Sequence, residues 1–296
     1  MTQHREDDPT IAVRLPFHAM GILAYLGVRA MPGVEEVVGM TYRRVVSRHG
    51  RAGILSVDLS SAQRGRADVR CDLPRSRVWV ADKVRAMVAA DTDVVPIESV
   101  LASDGRLKPI VSAQRGLRVA GTVDTFELTV RAILGQQVSV AGARTLAARL
   151  AARYGMPLPS PRGSLRTSFP PPDLLVEAEI ERLGVTRSRA EAIRRVAGLV
   201  TSGELQLTRG KRLSATYEQL LAVKGIGPWT ASYVALRALG DPDALVAGDL
   251  GVRQVLGNHA APLSVAAVTR MAESWRPFRG YATVHLWATL LRGWGT

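Results

Sequence analysis

The stretch Leu220–Tyr233, LLAVKGIGPWTASY, leaves the chain few local options. A helical run begins at Ser214 (SATYEQLLAV), Lys224-Gly225-Ile226-Gly227 interrupts it, and Pro228 opens a second helix carrying Trp229, Tyr233 and Leu236 on one face. Proline at the first helical position gives up no hydrogen bond. The pattern predicts a helix-hairpin-helix over Ser214 to Leu239, with Gly225 and Gly227 both in turn conformations closed to other residues. Its second helix would present free backbone amides, a site suited to phosphate. A glycine-containing turn also serves any αα-hairpin, so the hairpin alone does not specify a function.

Charge narrows the choice. Lys plus Arg exceeds Asp plus Glu by 39 − 26 = 13, nearly all of it arginine. That balance suits a polyanionic partner. With 296 residues, 47% of them apolar and 22% charged, the chain reads as two or three folded domains. The single cysteine, Cys71, excludes an intramolecular disulfide, a cysteine-based zinc site and a four-cysteine iron–sulfur cluster, and reads as a small core residue. No apolar run approaches the roughly 20 residues needed to span a bilayer, and MTQHREDDPT lacks a signal-peptide core. A cytoplasmic protein with no membrane partner is expected.

Alternation of apolar and polar residues over Thr10 to Pro16 and over parts of Val37 to Ser47, Ile54 to Leu59 and Ala67 to Leu73, with turn signals at His49-Gly50 and Gln63-Arg64-Gly65, predicts a small antiparallel sheet. Helices are expected over HAMGILAYLGVRA, which sets Tyr25 and Arg29 one turn apart, and over Val78 to Ala90. Residues 1–99 thus form an α+β domain. From Asp104 a polar connection leads to Gly121-Thr122, beyond which nothing resembles a strand. Asp124-Thr-Phe-Glu127 has the character of a capping box; Gly135-Gln136-Gln137 makes an elbow, and Ser139 caps the next helix. The six prolines of Pro157 to Pro172 mark a surface loop. Helices follow at Asp173 to Leu183, Arg187 to Ser202, Val265 to Ser274 and Pro277 to Arg292. The expected division is 1–99, then 126–241 with the elbow and hairpin, then 100–125 plus 242–296, with a cleft between the two helical units. Asp249, after Gly248 and before LGVRQVL, sits at a helix N-cap, a common place for aspartate with no other role.

In combination, VRAILGQQVSV, VKGIGPWTASY, the glycine-containing segment ending in Asp249 and SWRPFRGYATVHLW resemble the helix-hairpin-helix DNA glycosylases. Within them, the chain is similar to the bacterial DNA-3-methyladenine glycosylase II, or AlkA, type. The resemblance implies a mostly helical body after an N-terminal α+β domain, and a hydrolase that flips an alkylated purine out of double-stranded DNA. It casts Asp249 as the catalytic carboxylate, Tyr25, Trp229, Tyr233 and Trp287 as the base pocket, and Gln137 as the wedge entering the vacated stack. It also implies backbone binding at Gly225, Gly227 and Thr230. Lys224, where the family more often has proline, either adds a phosphate contact or is a solvated turn residue. A monovalent cation would rest on the carbonyls of Leu221, Val223 and Ile226, and no small-molecule cofactor is required. Trp229 stands where bifunctional relatives carry a Schiff-base lysine, which implies base release without strand cleavage; a nucleoid-associated monomer is expected. Cationic N-alkylpurines would stack on the electron-rich rings. Gly248, Leu250, Gly251, Ala288 and Gln137 depart from the family pattern and are expected to widen or soften the pocket. Two rival readings remain: a glycosylase for mismatched or deaminated bases, and a catalytically silent DNA-binding protein in which Asp249 is only a cap.

Overall fold

The computed structural model describes residues 9–74 and 76–291. Thr10–Ala12 (β1), Glu35–Val38 (β2), Thr41–Arg48 (β3), Arg51–Asp58 (β4) and Arg66–Cys71 (β5) form an antiparallel sheet in the order β1-β5-β4-β3-β2. His49 and Gly50 both take positive φ, 49° and 71°, and close the β3–β4 hairpin with Arg48 opposite Arg51. This is the combination whose twist matches paired strands. The run Val37 to Ser47 is two strands instead of one, because Gly39 at φ 58° folds Val38 back opposite Thr41. Cys71 packs against the core from a partly exposed position at the end of β5, short of full burial.

Ala19–Arg29 (α1) crosses between β1 and β2, and Arg77–Val88 (α2) follows the sheet. Val95–Leu101 (α3) comes next, and the connection from Asp104 contains a second short helix, Leu107–Ser112 (α4), so it is more regular than its polar texture suggests. Asp104 makes the second possible: its Oδ1 accepts from the Arg106 amide at 2.8 Å, while its Oδ2 accepts from the indole N–H of the buried Trp275 at 2.8 Å. Thr125–Leu134 (α5) and Val140–Tyr154 (α6) flank the elbow. Asp124 caps α5 by accepting from the Glu127 amide at 3.0 Å, and Ser139 caps α6 through Gly142 at 3.1 Å. Half of the expected capping box is missing, because the Glu127 side chain is engaged elsewhere.

The proline-rich segment is a strand pair, Pro157–Arg162 (β6) with Leu165–Thr167 (β7), against the expectation of a loop. Prolines at alternate positions leave Leu158 free to enter a small core with Leu165, Val45 and Ile54, and edge strands tolerate their missing N–H groups. The helix expected over Asp173 to Leu183 is replaced by two 3₁₀ turns, Pro172–Leu175 and Ile180–Leu183. Leu175, Ala178 and Ile180 are all buried, a spacing that no single helical face provides. Arg187–Thr201 (α7), Leu213–Leu221 (α8) and Pro228–Val234 (α9) come next, α9 running into a π turn at Ala235–Leu239. Leu250–Leu256 (α10), Val265–Met271 (α11) and Arg279–Leu291 (α12) complete the helices; the expected end at Arg292 lies outside the described residues. No helix among those residues is long and apolar enough to cross a membrane.

One apolar core joins the sheet to α2–α4 and α10–α12, and a second fills the space among α5–α9. A buried ionic cluster ties β2 and β3 to α5. Arg44, 3% exposed, donates to both oxygens of Glu127, itself 1% exposed. Arg131 Nη1 donates to Glu127 Oε1 at 2.9 Å and to Glu35 Oε2 at 2.8 Å, and the Tyr42 hydroxyl donates to Glu35 Oε1 at 2.5 Å. Burial opposes ionisation of Glu35, yet Arg131 and Arg44 together with these hydrogen bonds hold its pKa below the usual value. Breaking a buried pair strands its partner's charge. Glu127→Ala is therefore expected to lower unfolding free energy by about 3–5 kcal/mol, read from the denaturant midpoint by circular dichroism.

Candidate active site

Asp249 is the N-cap of α10, its Oδ1 accepting from the Val252 amide at 3.0 Å. Its role does not end there. Trp287 Nε1, from α12, donates to the same Oδ1 at 3.0 Å, and Trp229 Nε1, from α9, donates to Oδ2 at 3.3 Å. Three elements distant in sequence therefore converge on one partly exposed carboxylate. It lines a cavity of about 220 Å³ whose walls come from both apolar cores.

The four expected pocket aromatics meet in that cavity. Trp229 and Tyr233, one turn apart on α9, stack with centroids 5.4 Å apart and planes at 16°. Trp287 lies 5.8 Å from Tyr233 and 6.0 Å from Tyr25. Trp229 and Tyr233 stay partly exposed, unlike Leu236 farther along the same chain segment, which is core as expected.

Beneath the rings lies a residue that sequence reasoning missed, Arg237. Buried to 4% exposure, it donates from Nη1 to the hydroxyls of Tyr233 at 2.8 Å and Tyr25 at 3.1 Å, and from Nη2 to the Gly121 carbonyl at 2.9 Å. The two hydroxyls are 3.1 Å apart. Arg29 stacks on Tyr25 from another side, its guanidinium carbon 3.8 Å from the ring centroid. Burial pushes both phenols toward higher pKa. For Tyr25 that effect wins; for Tyr233 the two guanidinium charges and its hydrogen bonds overcome it and bring the pKa down to about 8.

The hairpin carries one constraint where two were expected. Gly225 sits at φ 94°, and a Cβ there would stand 3.2 Å from Ala192 Cβ, so glycine is required. Gly227 is extended, with φ −98° and ψ 177°, and nothing lies within 4 Å of its absent Cβ. Any residue adopts that backbone; what its glycine preserves is open space before the amides of α9. Lys224 is exposed beside it. The Val223 carbonyl already accepts from the Ile226 amide at 3.0 Å.

The elbow reaches the hairpin through Gln136, a second residue missed from sequence. Its Nε2 donates to the Gly225 carbonyl and to Thr230 Oγ1, both at 2.9 Å. Gln137 beside it is exposed and held at φ 53°, a conformation that L side chains adopt at a cost and that recurs at functional positions. Of the departures expected to reshape the pocket, Gly248, Leu250, Gly251 and Ala288 do not line this cavity. The space beside Gly251 is taken by Leu290, whose Cδ1 lies 2.6 Å from where a Cβ would be.

An α+β unit thus packs on a helical body that carries a helix-hairpin-helix, and an aspartate held by two indoles lines an aromatic cavity. The chain belongs to the HhH-GPD superfamily of base excision DNA repair proteins, whose family model matches residues 130–277, and an AlkA N-terminal domain matches residues 9–124. It is 37% identical over 95% of its length to a probable bifunctional transcriptional activator/DNA repair enzyme AlkA of Mycobacterium tuberculosis, and spans 56% of that longer protein. Against DNA-3-methyladenine glycosylase 2 of Escherichia coli it is 32% identical, covering 94% of this chain and 95% of that one. The structure superposes on a 3-methyladenine DNA-glycosylase from Archaeoglobus fulgidus with a TM-score of 0.81 at 24% identity, covering 97% of this chain and all of the other, which shows a shared fold.

The electrostatics of the tyrosine pair predict a spectroscopic titration. One tyrosinate absorbance step is expected near pH 8, absent in Tyr233→Phe and moved upward in Arg237→Met. Because this pKa falls from an ordinary 10.0 on folding, the associated stability is complete above pH 10.0 and is lost as pH drops through about 8.

Proposed function

We propose that the protein is a monofunctional DNA glycosylase that hydrolyses the N-glycosidic bond of alkylated purines of the 3-methyladenine type in double-stranded DNA. The observation that carries this reading is Asp249 itself. A pure helix cap needs one oxygen on one amide, whereas here a second oxygen is held by an indole at the rim of an aromatic cavity.

The target base cannot react inside the duplex, so it must rotate into the cavity, at a cost of about a few kcal/mol that is smallest for damaged or mispaired bases. Trp229, Tyr233, Trp287 and Tyr25 then surround it. As the bond breaks, positive charge gathers on the sugar, and the Asp249 carboxylate stabilises it and directs water to C1′. Trp229, whose indole meets the carboxylate, stands where the resemblance puts the Schiff-base lysine of bifunctional relatives, so the expected product is an abasic site on an intact strand.

The surroundings suit that task. Gln137, projecting from a strained turn, enters the gap left by the base. The amides of Gly225, Gly227 and Thr230 would hold one backbone phosphate, with Lys224 alongside, and the net charge of +13 draws the polyanion in. Leu221, Val223 and Ile226 would present carbonyls to a monovalent cation, which would add positive charge for that phosphate; Val223 retains one lone pair for this after its bond to Ile226. We place the protein on chromosomal DNA in the cytoplasm, working as a monomer.

Asp249→Asn keeps an oxygen for the Val252 amide but removes the charge. Release of methylated base from alkylated duplex is expected to fall by a factor of about 10² or more, with DNA affinity nearly unchanged. Turnover equal to wild type would sink the assignment.

A further inference from the structure

The backbone of the elbow is anchored on both sides of Gln137. Gln136 leaves α5 with its amide still bonded to the Ile133 carbonyl at 3.3 Å, and Ser139 caps α6. Between these anchors Gln137 is exposed at φ 53°, and among the described residues its side chain makes no hydrogen bond that would keep it there. Such a conformation persists where the surroundings over-determine it. The side chain of Gln136 does so. Its two Nε2 hydrogens go one each to the Gly225 carbonyl and to Thr230 Oγ1, both at 2.9 Å. A carbonyl can only accept, so the amide nitrogen of Gln136, and not its oxygen, faces the hairpin. Among the described residues no other hydrogen bond joins elbow to hairpin. The tie falls on two of the residues whose amides would hold phosphate: Gly225, at φ 94°, and Thr230, 2% exposed in the first turn of α9.

We propose that Gln136 is a positioning residue that couples insertion of the wedge to the hairpin's hold on the DNA backbone. The inference rests on the glycosylase reading, with Gln137 as the wedge. A phosphate seated on the hairpin fixes Gly225 and Thr230 relative to the duplex. Through Gln136 it fixes the turn bearing Gln137 as well, so the wedge meets the base stack already oriented. Orientation in advance removes an ordering cost from the flipping step. With the tie cut, the hairpin still binds its phosphate, but Gln137 is free to leave the left-handed region and has to be ordered anew at each insertion. Affinity for the backbone is then kept while flipping is impaired. The impairment is largest where the target base is paired and stacked, and smallest where the opposing base is missing, because extrusion costs least there. Gln136 acts only through its neighbours and touches neither the base nor the reacting atoms.

The test compares kcat/KM for 3-methyladenine opposite thymine and opposite a tetrahydrofuran abasic analogue, in wild type, Gln137→Ala and Gln136→Met, which keeps the length and loses both donors. Folding is checked by thermal melting. The paired-to-unpaired ratio is expected to fall about tenfold in Gln136→Met, as in Gln137→Ala, with duplex affinity within about twofold of wild type. Thr230→Val, which removes one acceptor and keeps the backbone amide, is expected to give a smaller fall, and the two changes together no more than Gln136→Met alone. An unchanged ratio in Gln136→Met, a fall equal in both contexts, or full additivity with Thr230→Val overturns the inference. A wild-type ratio in Gln137→Ala contradicts the wedge and overturns the inference with it. A second readout needs no catalysis. With a 2′-fluoro sugar at the lesion to block cleavage, a neighbouring 2-aminopurine is expected to brighten when wild type unstacks it, and to gain about half as much or less with saturating Gln136→Met. An equal gain, or none in wild type, overturns the inference. A wild type that brightens the probe but releases no base contradicts the glycosylase reading, and the fluorescence comparison then decides the role of Gln136.

Discussion

The site depends on the hydrogen bonds gathered by the Asp249 carboxylate. The Val252 amide, the Trp287 indole and the Trp229 indole come from α10, α12 and α9, and each bond is made to a charged acceptor, the stronger kind. These bonds fix more than the carboxylate. They set the edges of two tryptophans, and through the Trp229–Tyr233 stack and the contact of Trp287 with Tyr25 they orient all four rings. The anion and the pocket walls are therefore one construction.

Around that construction, buried charge does the joining. Arg237 links the tyrosine hydroxyls of α1 and α9 to the Ala120 and Gly121 carbonyls of the connecting segment. The Glu35–Arg131–Glu127–Arg44 cluster locks the sheet to α5, the helix that leads into the elbow. This gives the N-terminal α+β unit a part in the site, since Tyr25 and Arg29 reach the cavity from α1. At the opposite side of the elbow, Gln136 fastens the turn that bears Gln137 to the hairpin at Gly225 and Thr230. The turn proposed as wedge and the hairpin proposed as phosphate anchor are in this way tied together.

Much of this was legible in the residues, and the parts that were not share a cause. The hairpin and the caps at Asp124, Ser139 and Asp249 announce themselves through local spacing, and the four rings through the resemblance to the glycosylase family. Arg237 and Gln136 are single polar residues in or beside helical runs, where solvent exposure is the ordinary expectation, and their partners are as much as 212 residues away. The β6–β7 pair escaped because prolines suppress a strand reading, although alternate prolines are compatible with an edge. Gly227 and Gly251 show the converse error. Glycine suggested a special turn at the first and an emptier pocket at the second, whereas the first has ordinary backbone angles and the second yields its space to Leu290.

The central claim is hydrolysis at a carboxylate framed by indoles, with no amine attacking the sugar. Incubation of the protein with a methylated duplex in the presence of borohydride tests it directly. The account predicts free base in equal amount to alkali-labile sites, strands intact before alkali treatment, and no protein–DNA adduct. A reductively trapped adduct or strand breaks at neutral pH would contradict it.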